Sequence, residues 1–185
     1  MYLRTLSDHL LDIGQNAVHA SAKQIRLNIR ESAVIFQFTI IDDGKGMDAS
    51  TLNNIFDPFY TTRDHKIRKV GLGLPFLRDA AESTGGSLAI QSKLGKGTTI
   101  TVTFQLDHID CQPVGDLGGV LFSLITYSQQ TEWIIDRTWG ATSYSIDTRA
   151  LKTILDSRDP WQSPQYLQWL KESIEELEQS LRQEG

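Results

Sequence analysis

The spacing of apolar residues near the N-terminus predicts one amphipathic helix followed by two paired strands. Leucines, an alanine and a valine recur every three or four positions through residues 3–20, which is typical of a helix with one buried face. Apolar and polar residues then alternate through 24–30 and 33–41, as they do in strands with one buried face. The second strand is expected to bury four apolar side chains: Val34, Phe36, Phe38 and Ile40.

The segments that follow predict helices layered on one face of a sheet. Asp48 or Ser50 is placed to cap a short helix. A further helix is expected over 74–84, where two glycines end it, and two strands follow, at 87–93 and 98–106. This order of elements predicts an α+β fold, a two-layer α/β sandwich with its helices on one face of a mixed sheet.

The apolar pattern breaks after residue 106. Pro113 and three glycines within 107–119 predict a linker between two units, an N-terminal domain over 1–106 and a C-terminal extension over 120–185. The extension is expected to hold a small sheet of its own and two helices. Its predicted strands are 120–127, 131–136 and 142–147, and its predicted helices are about 148–157 and 165–183.

The last predicted helix has the apolar spacing of a coiled-coil seam. Glu178 and Arg182 are expected to form an i,i+4 ion pair on its polar side. Two heptads are short for a free-standing coiled coil, which favours packing of the helix onto its own domain. The alternative is a docking surface, through which the chain would form a homodimer or hold a partner protein. The seam residues are Leu167, Leu170, Ile174, Leu177 and Leu181.

Composition and charge narrow the class of protein. The chain has 185 residues, 39% of them hydrophobic and 22% charged, as in ordinary globular proteins. Its formal net charge of -5 argues against a general nucleic-acid binder and against a basic membrane-binding surface. The single cysteine, Cys111, excludes an internal disulfide framework and fits a reducing compartment. No secretory signal or membrane span is evident, so we expect a cytoplasmic protein.

Two carboxylates and two glycines directly follow the second buried strand, in the stretch 40-IIDDGKGMD-48. A tight turn accounts for such a sequence by itself, because turns favour Asp and Gly. A carboxylate at the end of a buried strand can also accept a hydrogen bond from an exocyclic amine, and glycines let the backbone approach a flat ring. The stretch alone leaves both interpretations open.

Three other features favour a nucleotide. Asp12 and Asn16 lie one turn apart on one face of the first helix, where a carboxylate and an amide can hold a hydrated divalent cation. The loop 57–70 is long and basic. A helix begins at 71-GLGL-74, and the free N–H groups of a helix N-terminus attract phosphate oxygens. Each feature alone has a plain structural explanation, but together and in this order they fit an ATP pocket.

These motifs resemble those of the ATPase superfamily shared by sensor histidine kinases, DNA gyrase, heat-shock chaperones and mismatch-repair ATPases. They are most similar to the catalytic domain of histidine kinases, over residues 3–106. The resemblance implies a Bergerat-type ATP-binding fold, ATP and Mg²⁺ as ligands, and a kinase or ATPase activity in signal transduction. It rests on the motifs 16-NA-17, 42-DDGKG-46, 55-IFDPFYTTR-63, 71-GLGLPFLRD-79 and 92-SKLGKGTTITVTF-104.

Carried over position by position, the resemblance implies that Asn16 holds Mg²⁺ and that Asp42 accepts the adenine amine. The glycines after Asp42 would line the base, and Thr98 would support the Asp42 contact through a water. Residues 57–70 would form a lid over the nucleotide. The full set of nucleotide-binding residues implied is Asn16, His19, Asp42, Gly44, Gly46, Met47, Phe59, Gly71, Leu72, Gly73, Leu74 and Thr98.

The sequence departs from the family pattern at two positions of the implied site. Hydrolysing relatives carry a Glu general base where this chain has Asp12, which is one methylene shorter and is the candidate catalytic residue. His19, a weaker and pH-dependent cation, stands where the kinases usually have Lys or Arg near a phosphate. Only two residues precede the first helix, so we expect the phosphoacceptor of the sensor kinases to lie on a separate protein.

Three activities are compatible with these residues. The favoured one is an enzyme that hydrolyses ATP or transfers its phosphate to a separate partner protein in cytoplasmic signalling. The second is a non-catalytic module whose interactions are gated by ATP. The third is a protein serine kinase of the anti-sigma type, built on the same fold. Phosphate release and transfer of label from ATP to a second protein distinguish the three.

Overall fold

A computed structural model describes residues 3–57, 73–154 and 162–184. Within them, six strands form one sheet in the order β3-β4-β2-β1-β5-β6, in which β1 and β5 run parallel and all other neighbours run antiparallel. The strands are β1 Gln24–Glu31, β2 Ile35–Asp42, β3 Ser87–Lys93, β4 Gly97–Gln105, β5 Glu132–Trp139 and β6 Thr142–Asp147. The helices are α1 Leu6–His19, α2 Ala49–Asn54, α3 Gly73–Ser83, α4 Leu117–Tyr127, α5 Thr148–Ile154 and α6 Pro164–Glu184.

The central strands bury one face and leave the other to polar side chains. Phe36 and Phe38 of β2 are fully buried in the core. On the opposite face, the hydroxyls of Thr39 and Thr101 lie 3.1 Å apart across β2 and β4. The predicted two-layer α+β fold is therefore confirmed. Val34 was expected in the core but is 47% exposed, because it lies in the turn before β2 begins.

Helix α1 begins with a capping box and divides into an apolar and a polar face. Thr5 accepts a hydrogen bond from the Asp8 N–H, and the Asp8 carboxylate accepts one from the Thr5 N–H, so both free donors at the helix start are satisfied. Leu6, Leu10 and Ile13 are buried in the core. This packing fixes the rotation of α1 and so directs its polar face away from the sheet.

Residues 117–127 form helix α4, so the strand predicted over 120–127 is wrong. Asp116 caps the helix by accepting a hydrogen bond from the Gly119 N–H at 2.8 Å. The buried apolar residues include Leu121 and Leu124, which are covered from several sides. A short apolar run of this kind has no polar face to mark its period, so its sequence does not separate a buried helix from a buried strand.

The small separate sheet predicted for the C-terminal extension is also wrong. Strand β5 pairs in parallel with β1 along its whole length, from Gln24 beside Glu132 to Glu31 beside Trp139, and β6 pairs with β5. The two strands therefore extend the sheet of the N-terminal region. The division into a domain over 1–106, a linker and an extension over 120–185 stays a prediction.

The seam of α6 is used mainly within the chain. Leu170, Ile174 and Leu181 are 1–3% exposed, whereas Leu177 is 36% exposed. Glu178 is 8% exposed and points inward, so the ion pair expected with Arg182 on the polar side is wrong. These contacts agree with packing of α6 onto its own domain, and a homodimer through α6 stays a prediction. No helix among the described residues is both long and apolar enough to cross a membrane.

A buried arginine joins four elements at this end of the sheet. Arg137 of β5 is fully buried and is paired with Glu31 at the end of β1. Its Nε donates to Glu178 of α6 at 3.1 Å, and the Tyr144 hydroxyl of β6 donates to the same carboxylate oxygen at 2.6 Å. Sequence reasoning missed this cluster, because its members lie far apart along the chain.

Candidate functional site

The polar face of α1 meets the start of α3. Asn16 donates a hydrogen bond to the Asp12 carboxylate at 3.3 Å, as their one-turn spacing predicted. The Asp12 carboxylate lies directly against Gly73, so a Cβ at this position would displace the carboxylate from the start of α3. The first turn of α3 carries backbone N–H groups without helical partners. The structure thus brings together a carboxylate, an amide and an anion-attracting helix N-terminus.

Asp42 ends β2 in a buried position. It is 8% exposed, and its Oδ1 accepts a hydrogen bond from the Gly44 N–H at 2.9 Å. Thr98 of β4 lies beside it in the sheet register. Burial raises the pKa of the Asp42 carboxyl, and backbone hydrogen bonds from Gly44 and Thr98 oppose that rise. A buried acceptor held by the backbone in this way is oriented before any ligand arrives.

The second carboxylate of the pair has a structural task. Asp43 Oδ1 accepts hydrogen bonds from the backbone N–H groups of Lys23 at 2.7 Å and Gln24 at 3.0 Å. Asp43 therefore ties the segment after β2 to the start of β1. The sequence contained no local signal for this role, because the partners are backbone groups about 20 residues earlier.

The glycines of the 42–46 segment are required by the protein's own packing. A side chain at Gly44 would lie 2.7 Å from the Ala20 carbonyl oxygen, and Gly46 adopts a φ of +62° directly against the backbone of Lys93. Lys45 between them donates its N–H to the Ala20 carbonyl at 2.9 Å. The segment is thus clamped between the end of α1 and the turn joining β3 to β4. Sequence reasoning explained the glycines by a tight turn or by the nucleotide base and did not foresee this constraint.

Ser92 links two of the predicted residues, Met47 and Thr98, and sequence reasoning did not identify it. Its Oγ accepts a hydrogen bond from the Met47 N–H at 2.9 Å and lies 2.9 Å from the Thr98 hydroxyl. It also donates to the Gly97 carbonyl at 3.0 Å. Ser92 opens the motif 92-SKLGKGTT-99, so its position in that motif was the signal that could have found it.

Of the other predicted nucleotide-binding residues, some are described by the structure and some lie outside the described residues. Leu74 is half-buried in the first turn of α3, next to the core. His19 is exposed in the last turn of α1, and its Nε2 lies 3.1 Å from the Tyr127 hydroxyl. Phe59, Gly71, Leu72 and the predicted lid over 57–70, apart from Asp57 itself, lie outside the described residues.

Helix α1 connects the two halves of the site. Asp12, which is hydrogen-bonded to Asn16, lies against the start of α3, while Ala20, directly after the helix, contacts the 42–46 segment. Eight residues of α-helix separate Asp12 from Ala20, a span of about 12 Å. A ligand that reaches from the 42–46 segment to the start of α3 would therefore run along α1.

Comparison with protein families gives a match over the region that builds this site. Residues 3–108 match the family described as histidine kinase-, DNA gyrase B-, and HSP90-like ATPase. This range is more than half of the chain and includes α1, the 42–46 segment, α3 and β4.

Similar curated proteins are sensor kinases. Sensor histidine kinase ZraS of Escherichia coli (strain K12) is 32% identical over 112 residues, 60% of this chain and 23% of that protein. A putative sensor protein of Shewanella frigidimarina (strain NCIMB 400) is 36% identical over 104 residues, 55% of this chain and 16% of that protein. Sensor kinase CckA of Brucella abortus (strain 2308) is 33% identical over 88 residues, 48% of this chain and 9% of that protein. The chain thus spans less than a quarter of the length of each of them.

A solved structure resembles the chain over most of its length. The crystal structure of the N-terminal domain of a DNA repair protein aligns with a TM-score of 0.57 over 77% of this chain and 51% of that one. The two chains are 15% identical, so this likeness shows the fold.

Proposed function

Because the chain belongs to the histidine kinase-, DNA gyrase B- and HSP90-like ATPase family, we propose that it binds Mg-ATP between α1, the 42–46 segment and the start of α3. Residues 3–108 form an ATP-binding, histidine-kinase-like domain. One observation carries the placement of the nucleotide. A single helix, α1, holds the Asp12 carboxylate against the N-terminus of α3, with the Asn16 amide hydrogen-bonded to that carboxylate, and its C-terminal end leads into Ala20, which contacts the 42–46 segment.

Asp42 would recognise the base in this proposal. Its carboxylate is buried and held by the Gly44 N–H, which leaves it suited to accept a hydrogen bond from the exocyclic amine of adenine. Guanine carries a carbonyl oxygen at the corresponding ring position, and two acceptors facing each other in a buried site repel. The site should therefore prefer ATP to GTP.

The phosphates would lie along the polar face of α1, between His19 and the start of α3. Gly73 and Leu74 offer backbone N–H groups, and His19 offers a ring N–H or a cation. The Asn16 amide oxygen would hold Mg²⁺, which, when bound with ATP, neutralises charge on the phosphates. Asp12, next to the start of α3, would act as general base toward a water or an acceptor hydroxyl.

We extend the proposal to the reaction and its partner. The Asp12 carboxylate beside the phosphates favours hydrolysis of ATP or transfer of its phosphate over nucleotide binding alone. The acceptor would be a separate protein in a signalling pathway, and the single cysteine fits a cytoplasmic site of action. Incubation with γ-labelled Mg-ATP and extract should release phosphate or label a second protein. Binding without either product would replace this reaction with the ATP-gated module.

Replacing Asp42 with Asn tests the base contact. The amide of Asp42→Asn can turn a donor toward the adenine amine, and an unmatched buried polar pair costs roughly 1–3 kcal/mol. We expect ATP affinity measured by calorimetry to fall about tenfold or more. Asp43→Asn is the matched control, since its amide oxygen can still accept the two backbone hydrogen bonds from Lys23 and Gln24. Equal ATP affinity in wild type and Asp42→Asn would show that Asp42 does not bind the base.

The same substitution has a stability effect that needs no nucleotide. Because burial raises the pKa of Asp42, the folded state holds its proton more tightly than the unfolded state. Stability is therefore lost as pH rises from the unfolded-state pKa through the raised folded-state pKa. The Asn side chain of Asp42→Asn does not titrate, so the variant does not lose stability in this way. Its free energy of unfolding, measured with urea, should therefore rise relative to that of wild type as pH increases from acidic to neutral. A constant difference across that range would contradict the burial argument.

A further inference from the structure

Tyr127, the last residue of α4, contacts His19, the proposed phosphate-binding residue at the C-terminal end of α1. The Tyr127 hydroxyl lies 3.1 Å from His19 Nε2. The two rings meet edge to face, with centroids 5.8 Å apart and an interplanar angle of 89°. Tyr127 lies beyond residues 3–108, so the C-terminal part of the chain reaches a residue of the family-matched region.

The position of Tyr127 is fixed by contacts on both sides of it. Helix α4 packs so closely on α1 that a side chain at Gly14 would meet Leu124 at 2.5 Å. Directly after α4, the Thr131 hydroxyl donates to the Ala22 carbonyl at 3.0 Å. The segments on either side of Tyr127 therefore contact α1 and the residues that follow it.

We propose that Tyr127 is a positioning residue of the nucleotide site, which holds the His19 ring so that its Nδ1–H faces a phosphate oxygen of ATP. The proposal rests on the proposed function. A hydroxyl that donates to Nε2 leaves the proton of a neutral imidazole on Nδ1. Asn16 and His19 are three residues apart on α1 and share a face, so the held ring lies one turn from the proposed Mg²⁺ ligand.

The contact with Tyr127 sets the orientation and tautomer of the His19 ring, which are not set in a histidine that contacts only solvent. A ring whose orientation and tautomer are already set loses less freedom when an anion binds. The neutral ring can then act as a hydrogen-bond donor, which compensates in part for the Lys or Arg that this chain lacks at the position. Tyr127 would thus affect binding of the phosphates and leave binding of the nucleoside unchanged.

Tyr127→Phe tests this proposal, because it keeps the ring contact and removes the hydroxyl. We expect Mg-ATP affinity to fall about threefold to tenfold, the range of one hydrogen bond's net contribution, with adenosine affinity unchanged. In a His19→Ala background the same change should have no further effect. His19→Asn, whose amide nitrogen replaces Nδ1, should retain more ATP affinity than His19→Gln, whose amide nitrogen replaces Nε2.

Two further measurements separate positioning from general stability. Tyr144→Phe removes a hydroxyl from the Arg137 cluster and should leave the ratio of ATP to adenosine affinity unchanged. ¹⁵N spectra of the His19 ring, recorded without nucleotide, should show the Nδ1–H tautomer in wild type and a mixture in Tyr127→Phe. Unchanged ring spectra, or equal losses for ATP and adenosine, overturn the proposal for Tyr127 alone. Failure of the wild type to bind ATP overturns the proposed function and this inference together.

Discussion

Asp12→Asn is expected to bind Mg-ATP nearly as well as wild type and to turn it over about 10²-fold more slowly or worse, the scale of general acid–base catalysis. The amide of the variant has the shape of the carboxylate but cannot take a proton. Its oxygen can still accept the hydrogen bond from Asn16, so the polar face of α1 and its contact with α3 should be preserved. Phosphate release and calorimetric ATP affinity are to be measured on the same preparations.

Asp8→Asn is the control for this change, because it alters charge in the same way one turn earlier on α1. Asp8 belongs to the capping box, so its variant should lose some helix stability and no turnover per bound ATP. Equal turnover in wild type and Asp12→Asn would remove Asp12 from the mechanism and favour the ATP-gated module.

Arg137→Met is expected to lower the free energy of unfolding by about 3–5 kcal/mol, because removing one partner of a buried ion pair leaves an uncompensated charge. Arg137 is fully buried between Glu31 and Glu178, and β1, β5 and α6 all meet at its guanidinium. Urea unfolding followed by circular dichroism measures the loss. Arg26→Met is the matched control, since Arg26 pairs with Asp136 at 3.2 Å on the exposed face, where a pair contributes about 0–1 kcal/mol.

The Arg137→Met loss should also depend on pH. Burial raises the pKa of Glu31, and the charge of Arg137 opposes that rise. Without Arg137 the folded-state pKa of Glu31 rises further, so the variant loses stability as pH increases through that value. The difference between wild type and variant should therefore be smaller at acidic than at neutral pH. A loss no larger than that of Arg26→Met would show that the buried cluster contributes little to stability.

Local sequence patterns predicted the elements whose environment is one-sided. Helix α1 and the strands of the N-terminal sheet each have one core face and one polar face, and period 3.6 or 2 records that directly. Helix α4 was predicted wrongly as a strand because it is apolar around most of its circumference. The parallel pairing of β1 with β5 was not predicted, because it joins segments about 108 residues apart and no local pattern reports such pairing.

The same distinction applies within the site. Asp12 with Asn16 and Asp42 with Gly44 are neighbours along the chain, so spacing and motif brought them to notice. The role of Asp43 depends on backbone groups of another strand, and the Tyr127 contact with His19 depends on how α4 packs against α1. These contacts are set by tertiary structure, so the sequence motifs could not predict them.

Titration of the ¹⁵N-labelled chain with Mg-ATP, followed by amide chemical shifts, tests the placement of the nucleotide most directly. The proposed site predicts saturable shifts at both ends of α1 and its neighbours, including Asn16, Gly44, Gly73 and Thr98, with much weaker binding of GTP. It also predicts that the shifts in the 42–46 segment need at least tenfold more ATP in Asp42→Asn. Absence of saturable shifts, or shifts confined to residues 120–184, would contradict ATP binding between α1, the 42–46 segment and α3.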